Sequence, residues 1–364
     1  MNITVVAGAR PNFMKIAPIM KALEEKRNLG VNIHWRLVHT GQHYDKNLSD
    51  TFFKELNIPL PDVNLNVKSG SQAEQTAAIM IGFERELSLN PCSLVLVVGD
   101  VTSTMACAIV AKKAGVKVAH VEAGIRSGDM SMPEEINRIV TDSISDYFFT
   151  TSHFANNNLK GLGVEESRIF FVGNVMIDTL LQNLNRLKKP LFWDDFNLTE
   201  KQFLVLTLHR PSNVDEEKSL KILLEHISSQ TKGIPIIFPV HPRTKAVLNN
   251  LKIDCANIHL IEPLGYLEFL FLVKHSLGVL TDSGGITEEA TVLNIPCITL
   301  RDTTERPETC EIGTNVLVGT NLDKLTHALK DLLSGIWKQG RVPELWDGKA
   351  ANRTAEHLID IFKL

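Results

Sequence analysis

Short, continuously apolar runs alternate with longer helical patterns along the whole chain, and that alternation constrains the fold more than any other feature. Candidate strands are Ile3–Ala7, Trp35–His39, Leu94–Val98, Val116–Val121 and Phe148–Thr150. A second series follows at Phe203–Leu208, Pro235–Val240, Ile258–Ile261, Leu277–Leu280, Cys297–Leu300 and Asn315–Val318. A strand that is apolar at every position is buried on both faces, as in a parallel sheet covered by helices. The helical patterns between them, such as Phe13–Lys26, Gln72–Leu87, Thr102–Ala114 and Leu322–Leu333, supply the crossovers of right-handed βαβ units. So many strands exceed one comfortable open sheet, and a break near Gly173-Asn174 divides them. The expectation is an α/β protein with two doubly wound, Rossmann-like domains facing a cleft. Their expected bounds are residues 1–172 and 173–349, with a final helix at about 350–364 returning to the first. A length of 364 residues suits two or three domains.

Charge and composition narrow the partners. Thirty-eight Lys plus Arg against 42 Asp plus Glu leave a net charge of −4, without the cationic surplus of a dedicated nucleic-acid binder. No apolar run approaches the 18–20 residues of a bilayer span. The start, Met1 to Gly8, enters a strand pattern with no charged leader before it. The five cysteines (92, 107, 255, 297 and 310) are odd in number and scattered, which supports neither a disulfide framework nor a structural zinc site. A soluble cytoplasmic protein without a metal is expected.

In doubly wound sheets ligands sit beyond the carboxyl ends of the strands, and several polar clusters fall there. The first candidate strand ends in Gly8-Ala9-Arg10-Pro11-Asn12-Phe13-Met14-Lys15, which puts two cations at a helix start. This is either a phosphate site or a turn with solvated basic residues. It is neither a dinucleotide fingerprint nor a Walker loop. Asp100, in Val98-Gly99-Asp100-Val101-Thr102, is either a helix cap or a group that takes up a proton. Glu122 ends the next strand, and Glu134 opens a helix in Pro133-Glu134-Glu135-Ile136-Asn137-Arg138. If Asp100, Glu122 and Glu134 converge, mutual repulsion lifts some of their pKa values toward neutrality, which suits proton exchange.

The second series carries His209-Arg210 and His241-Pro242-Arg243 at successive strand ends, donors that suit an anion. Thr281-Asp282-Ser283-Gly284-Gly285-Ile286-Thr287-Glu288-Glu289 starts a helix with bare backbone N–H groups able to approach a diphosphate. A glutamate one turn in suits the hydroxyls of a ribose. Arg301 to Glu308, including Arg306, forms a charged loop at the same edge.

With these pieces assembled, the chain resembles the non-hydrolysing UDP-N-acetylglucosamine 2-epimerases. The matching segments are GARPNFMKIAP, TGQHYD, VVGDVTSTMA, HVEAGIRSGD, MPEEINR, GNVMIDTL, LHRPSNVD, PVHPR, TDSGGITEEA and RDTTERPE, in family order from residue 8 to 308. The resemblance implies the two-domain fold of GT-B glycosyltransferases, a homodimer and a cofactor-free reaction on a UDP-sugar. UDP is eliminated to leave 2-acetamidoglucal, then re-added with proton delivery to the other face of C2, giving UDP-ManNAc for cell-surface polysaccharide. It further implies that Asp100, Glu122, Glu134 and His209 are the catalytic residues. Arg10, Lys15, Arg138, His241, Ser283, Gly284, Gly285, Glu289 and Arg306 are the implied substrate contacts, with Glu289 on the ribose. Two relatives stay open: an epimerase of UDP-2,3-diacetamido-uronic acid, and a hydrolysing enzyme that releases UDP and ManNAc. The chain departs from better-known members at Ala9, Asn12 and Pro211-Ser212-Asn213. Ser69 to Thr76 also matches poorly the segment that, with Gln42 and His43, forms an allosteric site in some members.

Overall fold

A computed structural model describes residues 1–41, 53, 56, 58–214, 216–231, 233–240, 245, 247–248 and 255–364. It divides into two compact units, Met1–Asn183 with Glu344–Leu364, and Leu184–Pro343. The first unit thus runs past the boundary expected after residue 172.

The first unit holds a wholly parallel sheet of β1 (Asn2–Ala7), β2 (His34–His39), β3 (Val63–Asn64), β4 (Leu94–Val98), β5 (Lys117–Val121), β6 (Tyr147–Thr150) and β7 (Ile169–Phe171). Their spatial order is β3-β2-β1-β4-β5-β6-β7. The second unit holds β8 (Leu204–Thr207), β9 (Ile236–Pro239), β10 (Ile258–Ile261), β11 (Gly278–Thr281), β12 (Cys297–Thr299) and β13 (Asn315–Leu317). These lie in the order β10-β9-β8-β11-β12-β13, again parallel. In each sheet the chain starts at an inner strand, winds to one edge, then returns to the starting strand's other side. The reversals fall between β1 and β4 and between β8 and β11, where loops part to opposite faces and leave a crevice.

Both faces of each sheet are buried, which explains the unbroken apolar strands. Around β8, Leu204 and Leu206 join a cluster with Leu224, Phe238 and Ile298, whereas Phe203 and Val205 pack on the other side with Ile237, Leu272 and Val279. The two short strands β3 and β7 were not expected, and both are half-buried at the edges of their sheet.

Helix Val175–Asn183 belongs to the first unit because it packs on helix Arg10–Asn28, with Thr179 Oγ1 donating to the Met14 carbonyl at 2.6 Å. Helix Ala350–Phe362 packs on both. Its free N–H groups are met by buried Asp178, which accepts from Ala350 (3.1 Å) and Ala351 (2.7 Å). Burial pushes the Asp178 carboxyl up to about 6 against the pull of those two N–H groups. The native pKa therefore lies above the ordinary aspartate value, and between pH 4 and 6 the native state holds more of this proton than the unfolded chain. Stability from this group is full below that window and is lost as pH rises through it. The advantage of wild type over Asp178→Asn is expected to shrink by roughly 2–3 kcal/mol from pH 4 to pH 7. Urea unfolding of both proteins across that range checks this, and an unchanging difference would contradict it.

Among the described residues no helix is long and apolar enough to cross a membrane, and no group of three His, Cys, Asp or Glu could hold a metal ion.

Candidate active site

In the first unit, the carboxyl ends of β1, β4 and β5 bring together residues far apart in sequence. Asn12, in the first turn after β1, is buried and acts as a clasp. Its Oδ1 accepts from the N–H groups of Gly8 (3.1 Å) and Ala9 (3.0 Å), and its Nδ2 donates to the Val98 carbonyl at the end of β4 (3.0 Å). One helical turn later, the Lys15 ammonium pairs with the Glu122 carboxylate. Glu122 follows β5 with a φ of 70°, a left-handed conformation that costs a non-glycine residue roughly 1–3 kcal/mol unless its surroundings impose it. Its backbone N–H donates to the Phe149 carbonyl, and its side chain is almost fully buried. Gly99 lies over the ion pair. It has a φ of 67°, and a Cβ there would stand 3.2 Å from Lys15 Nζ and 3.3 Å from Glu122 Oε2. A side chain there would be strained by the backbone and would crowd both charged groups.

Asp100 comes next and, unlike Glu122, is accessible, with its side chain 28% exposed. Its Oδ2 accepts from Arg138 Nε (3.0 Å) and Nη2 (2.5 Å), and its carbonyl accepts from Asn137 Nδ2 (2.8 Å). Arg138 also donates to Glu135 at 2.7 Å, and Glu135 in turn accepts from the Ser127 and Gly128 N–H groups at 3.0 Å. Burial pushes the Glu135 carboxyl up, but those N–H groups and Arg138 outweigh it and the net shift is downward. Behind Glu122, the two ring nitrogens of buried His120 face Asp142 (2.7 Å) and the Gly99 carbonyl (2.8 Å). Arg126 also pairs with Asp142 at 2.7 Å. Burial raises the Asp142 carboxyl, yet His120 and Arg126 bring it below its ordinary value. A buried charged frame therefore fixes the loop that carries Glu122.

The second unit repeats the plan at the carboxyl ends of β8 and β11. The Thr207 and Thr281 hydroxyls meet at 2.6 Å where paired β8 and β11 end. Buried Asp282 accepts from the N–H groups of His209 (3.0 Å) and Arg210 (3.0 Å) and from Asn213 Nδ2 (3.0 Å). It also pairs with His209 Nδ1 at 2.7 Å, while the His209 side chain stays 60% exposed. Burial raises the Asp282 carboxyl, and His209 and Asn213 more than reverse that. The imidazole is thus held at one nitrogen and presents the other to solvent. Helix Gly284–Val292 starts here with Ser283 as its cap residue, so its first N–H groups lack intrahelical partners. A Cβ on Gly284 would lie 2.4 Å from Glu305 Oε1, whereas one on Gly285 meets nothing within 4 Å. Glu305 pairs with Arg301 at 2.7 Å.

The structure revises several expectations. Asp100, Glu122 and Glu134 do not form a cluster of bare, mutually repelling acids. Arg138 and Lys15 neutralise the first two, and Glu134 is exposed on its helix. The buried member of the Glu134-Glu135 pair is Glu135, which sequence reasoning passed over although Arg138 stands three residues on, on the same helical face. Arg306, expected to face substrate, is buried with Nε 2.5 Å from Glu288. Glu289 is buried against the Tyr266 hydroxyl, 2.8 Å away. His241, Gln42 and His43 lie outside the described residues, as does the side chain of Arg10. Asp282 was legible only as part of the TDSGG run; its contact with His209 joins positions 73 residues apart.

Comparison with known proteins places the chain in a family. The family profile described as UDP-N-acetylglucosamine 2-epimerase matches residues 22–359. The Methanocaldococcus jannaschii UDP-N-acetylglucosamine 2-epimerase is 46% identical over 345 residues, covering 92% of this chain and 93% of that protein. The UDP-2,3-diacetamido-2,3-dideoxy-D-glucuronate 2-epimerase of Pseudomonas aeruginosa is 39% identical over 365 residues, 99% of this chain and 100% of that protein. The crystal structure of the M. jannaschii UDP-GlcNAc 2-epimerase in complex with UDP-GlcNAc and UDP is similar at a TM-score of 0.88 and 43% identity. It covers 99% of this chain and 100% of that one.

Proposed function

Because the chain belongs to the UDP-N-acetylglucosamine 2-epimerase family and is thus a carbohydrate epimerase, we propose that it reversibly converts UDP-N-acetylglucosamine into UDP-N-acetylmannosamine. The observation that carries this reading is the pair of carboxylates beyond adjacent strands β4 and β5, Asp100 and Glu122, each set by its own cation. Inverting a carbon takes one group to remove its proton and another to return one from the opposite face. The C2–H bond of this sugar is barely acidic. Departure of UDP from C1 creates an oxocarbenium-like centre that acidifies it, so stabilising the leaving diphosphate supplies much of the catalysis. The C1–O bond breaks with its electrons going to UDP. The C2–H electrons form the C1–C2 double bond of 2-acetamidoglucal, and the proton passes to a carboxylate. Re-addition of UDP reverses these changes, with the proton delivered to the other face.

In this reading Asp100 and Glu122 handle the C2 proton, with solvent-facing Glu134 as the third carboxylate. Arg138 aims Asp100, and Lys15 orients Glu122. His209, anchored through Nδ1, turns Nε2 to the departing diphosphate. The N–H groups of Gly284 and Gly285 meet its oxygens, with Arg10 and His241 as further anion contacts. Glu289 takes the ribose, and Arg306 braces the Gly284–Val292 helix through Glu288. The Pseudomonas relative's full-length match supports a second reading, the same chemistry on UDP-2,3-diacetamido-uronic acid.

Incubation with UDP-N-acetylglucosamine in D2O, followed by NMR, tests the proposal. Deuterium at C2 of both epimers is the expected result. Exchange only with the diacetamido-uronate substrate would select the second reading, and stoichiometric free UDP would mean that water captures the intermediate. His209→Ala is expected to slow C1–O cleavage and C2 exchange together, by roughly tenfold or more. Exchange at the wild-type rate with epimerisation abolished would contradict that order of steps.

A further inference from the structure

Glu289 sits on the second turn of helix Gly284–Val292, which packs on β11, β12, β13 and helix Pro307–Glu311. Its carboxyl is buried, and Oε1 accepts from the hydroxyl of Tyr266, the first residue of helix Tyr266–His275, at 2.8 Å. Other ionisable groups around this helix are committed elsewhere. Glu288 pairs with Arg306, Asp282 with His209, and burial pushes the Cys297 thiol on β12 up to about 12. Tyr266 is thus the one group bonded to the Glu289 carboxyl among the described residues.

We propose that Tyr266 is the positioning residue for nucleotide binding: its hydroxyl fixes the rotation of the Glu289 carboxyl, so that Oε2 accepts from the ribose. This rests on the reading that Glu289 contacts the ribose. The geometry suits it, since a buried carboxylate with a single donor has acceptor sites left for a diol. Burial pushes Glu289 up to about 7, with the Tyr266 bond pulling the other way, and pushes the Tyr266 phenol well above its ordinary range. The phenol therefore stays a donor at every working pH. The Glu289 carboxyl, by contrast, is divided near neutrality between a form that accepts fully and one that carries a proton. Ribose hydroxyls donate to the ionised form, so nucleotide binding selects it and releases protons. Affinity then rises with pH through about 7, by roughly tenfold between pH 6 and pH 8, because only the ionised fraction is competent. Without the Tyr266 donor the carboxyl titrates higher and its rotation is free.

Calorimetric titration with UDP at pH 6–8.5, in buffers of different ionisation enthalpy, tests this on wild type, Tyr266→Phe and Glu289→Gln. The diphosphate's own titration is common to all three and cancels in the comparison. Tyr266→Phe is expected to weaken UDP roughly tenfold at pH 7 and to move the rise in affinity to higher pH. Glu289→Gln is expected to weaken it similarly and to remove the extra proton release seen with wild type. Wild-type affinity and pH profile in Tyr266→Phe, with Glu289→Gln weakened, would reduce Tyr266 to a core filler. Wild-type affinity in Glu289→Gln would instead overturn the ribose contact itself. If Tyr266→Phe fails to fold, proton release by wild type no greater than by Glu289→Gln still overturns the proposal.

Discussion

Asp100→Asn is expected to lower epimerase turnover by about 10²- to 10⁴-fold, the scale of a positioned acid or base. UDP affinity should change by no more than about twofold, since Asn keeps the shape and nucleotide binding is assigned to other residues. The fold should survive the loss of charge, because Arg138 keeps its 2.7 Å contact with Glu135 and is not left as an isolated buried cation. Steady-state kinetics with a melting curve decides the matter. A folded Asn variant with near-wild-type turnover would leave Asp100 as a structural partner of Arg138 and no more.

Gly285→Val is expected to weaken UDP roughly 10²-fold, with little change in melting temperature. The reasoning is steric. A Cβ at Gly285 meets no protein atom within 4 Å, so the added bulk intrudes only where a diphosphate would approach the helix start. Excluding about two N–H contacts to a charged group accounts for that loss. Gly284→Val makes the instructive contrast, since it also drives into Glu305 and disturbs the Arg301 pair. Calorimetric titration with UDP reads both variants. Unchanged affinity in Gly285→Val would move the diphosphate away from this turn.

The fold was largely legible because burial on both faces leaves a signature along a single strand. Phe203 to Leu206 supply alternate residues to opposite clusters, and every position is apolar. Two short edge strands were missed: Val63–Asn64 is only two residues long, while Ile169–Phe171 does sit in an apolar run and was passed over, and both are only half-buried. The site divides in a similar way. Strand-end positions named Asp100, Glu122 and His209, whereas charge pairing depends on which loops meet. Lys15 reaches Glu122 across 107 positions of sequence, and no spacing rule announces that. Glu135 pairs with Arg138 three residues on along one helix, but Glu134 stands four residues from the same arginine, so helical spacing alone does not choose between them. Asn12, a departure from better-known relatives in sequence, is explained by its three bonds tying the Gly8-Ala9 turn to β4.

The return of helix Ala350–Phe362 to the first unit makes residues 184–343 an insertion within that unit. Order of synthesis then runs against order of completion. All strands of the first sheet are synthesised before residue 172, yet the helix covering Arg10–Asn28 and Val175–Asn183 arrives only after the whole second unit. At roughly 5–20 residues per second, the nascent first unit waits roughly ten to forty seconds with that apolar surface open and the Asp178 carboxylate unmatched. A growing chain of this design has its greatest need of chaperone cover while its second sheet is still being made.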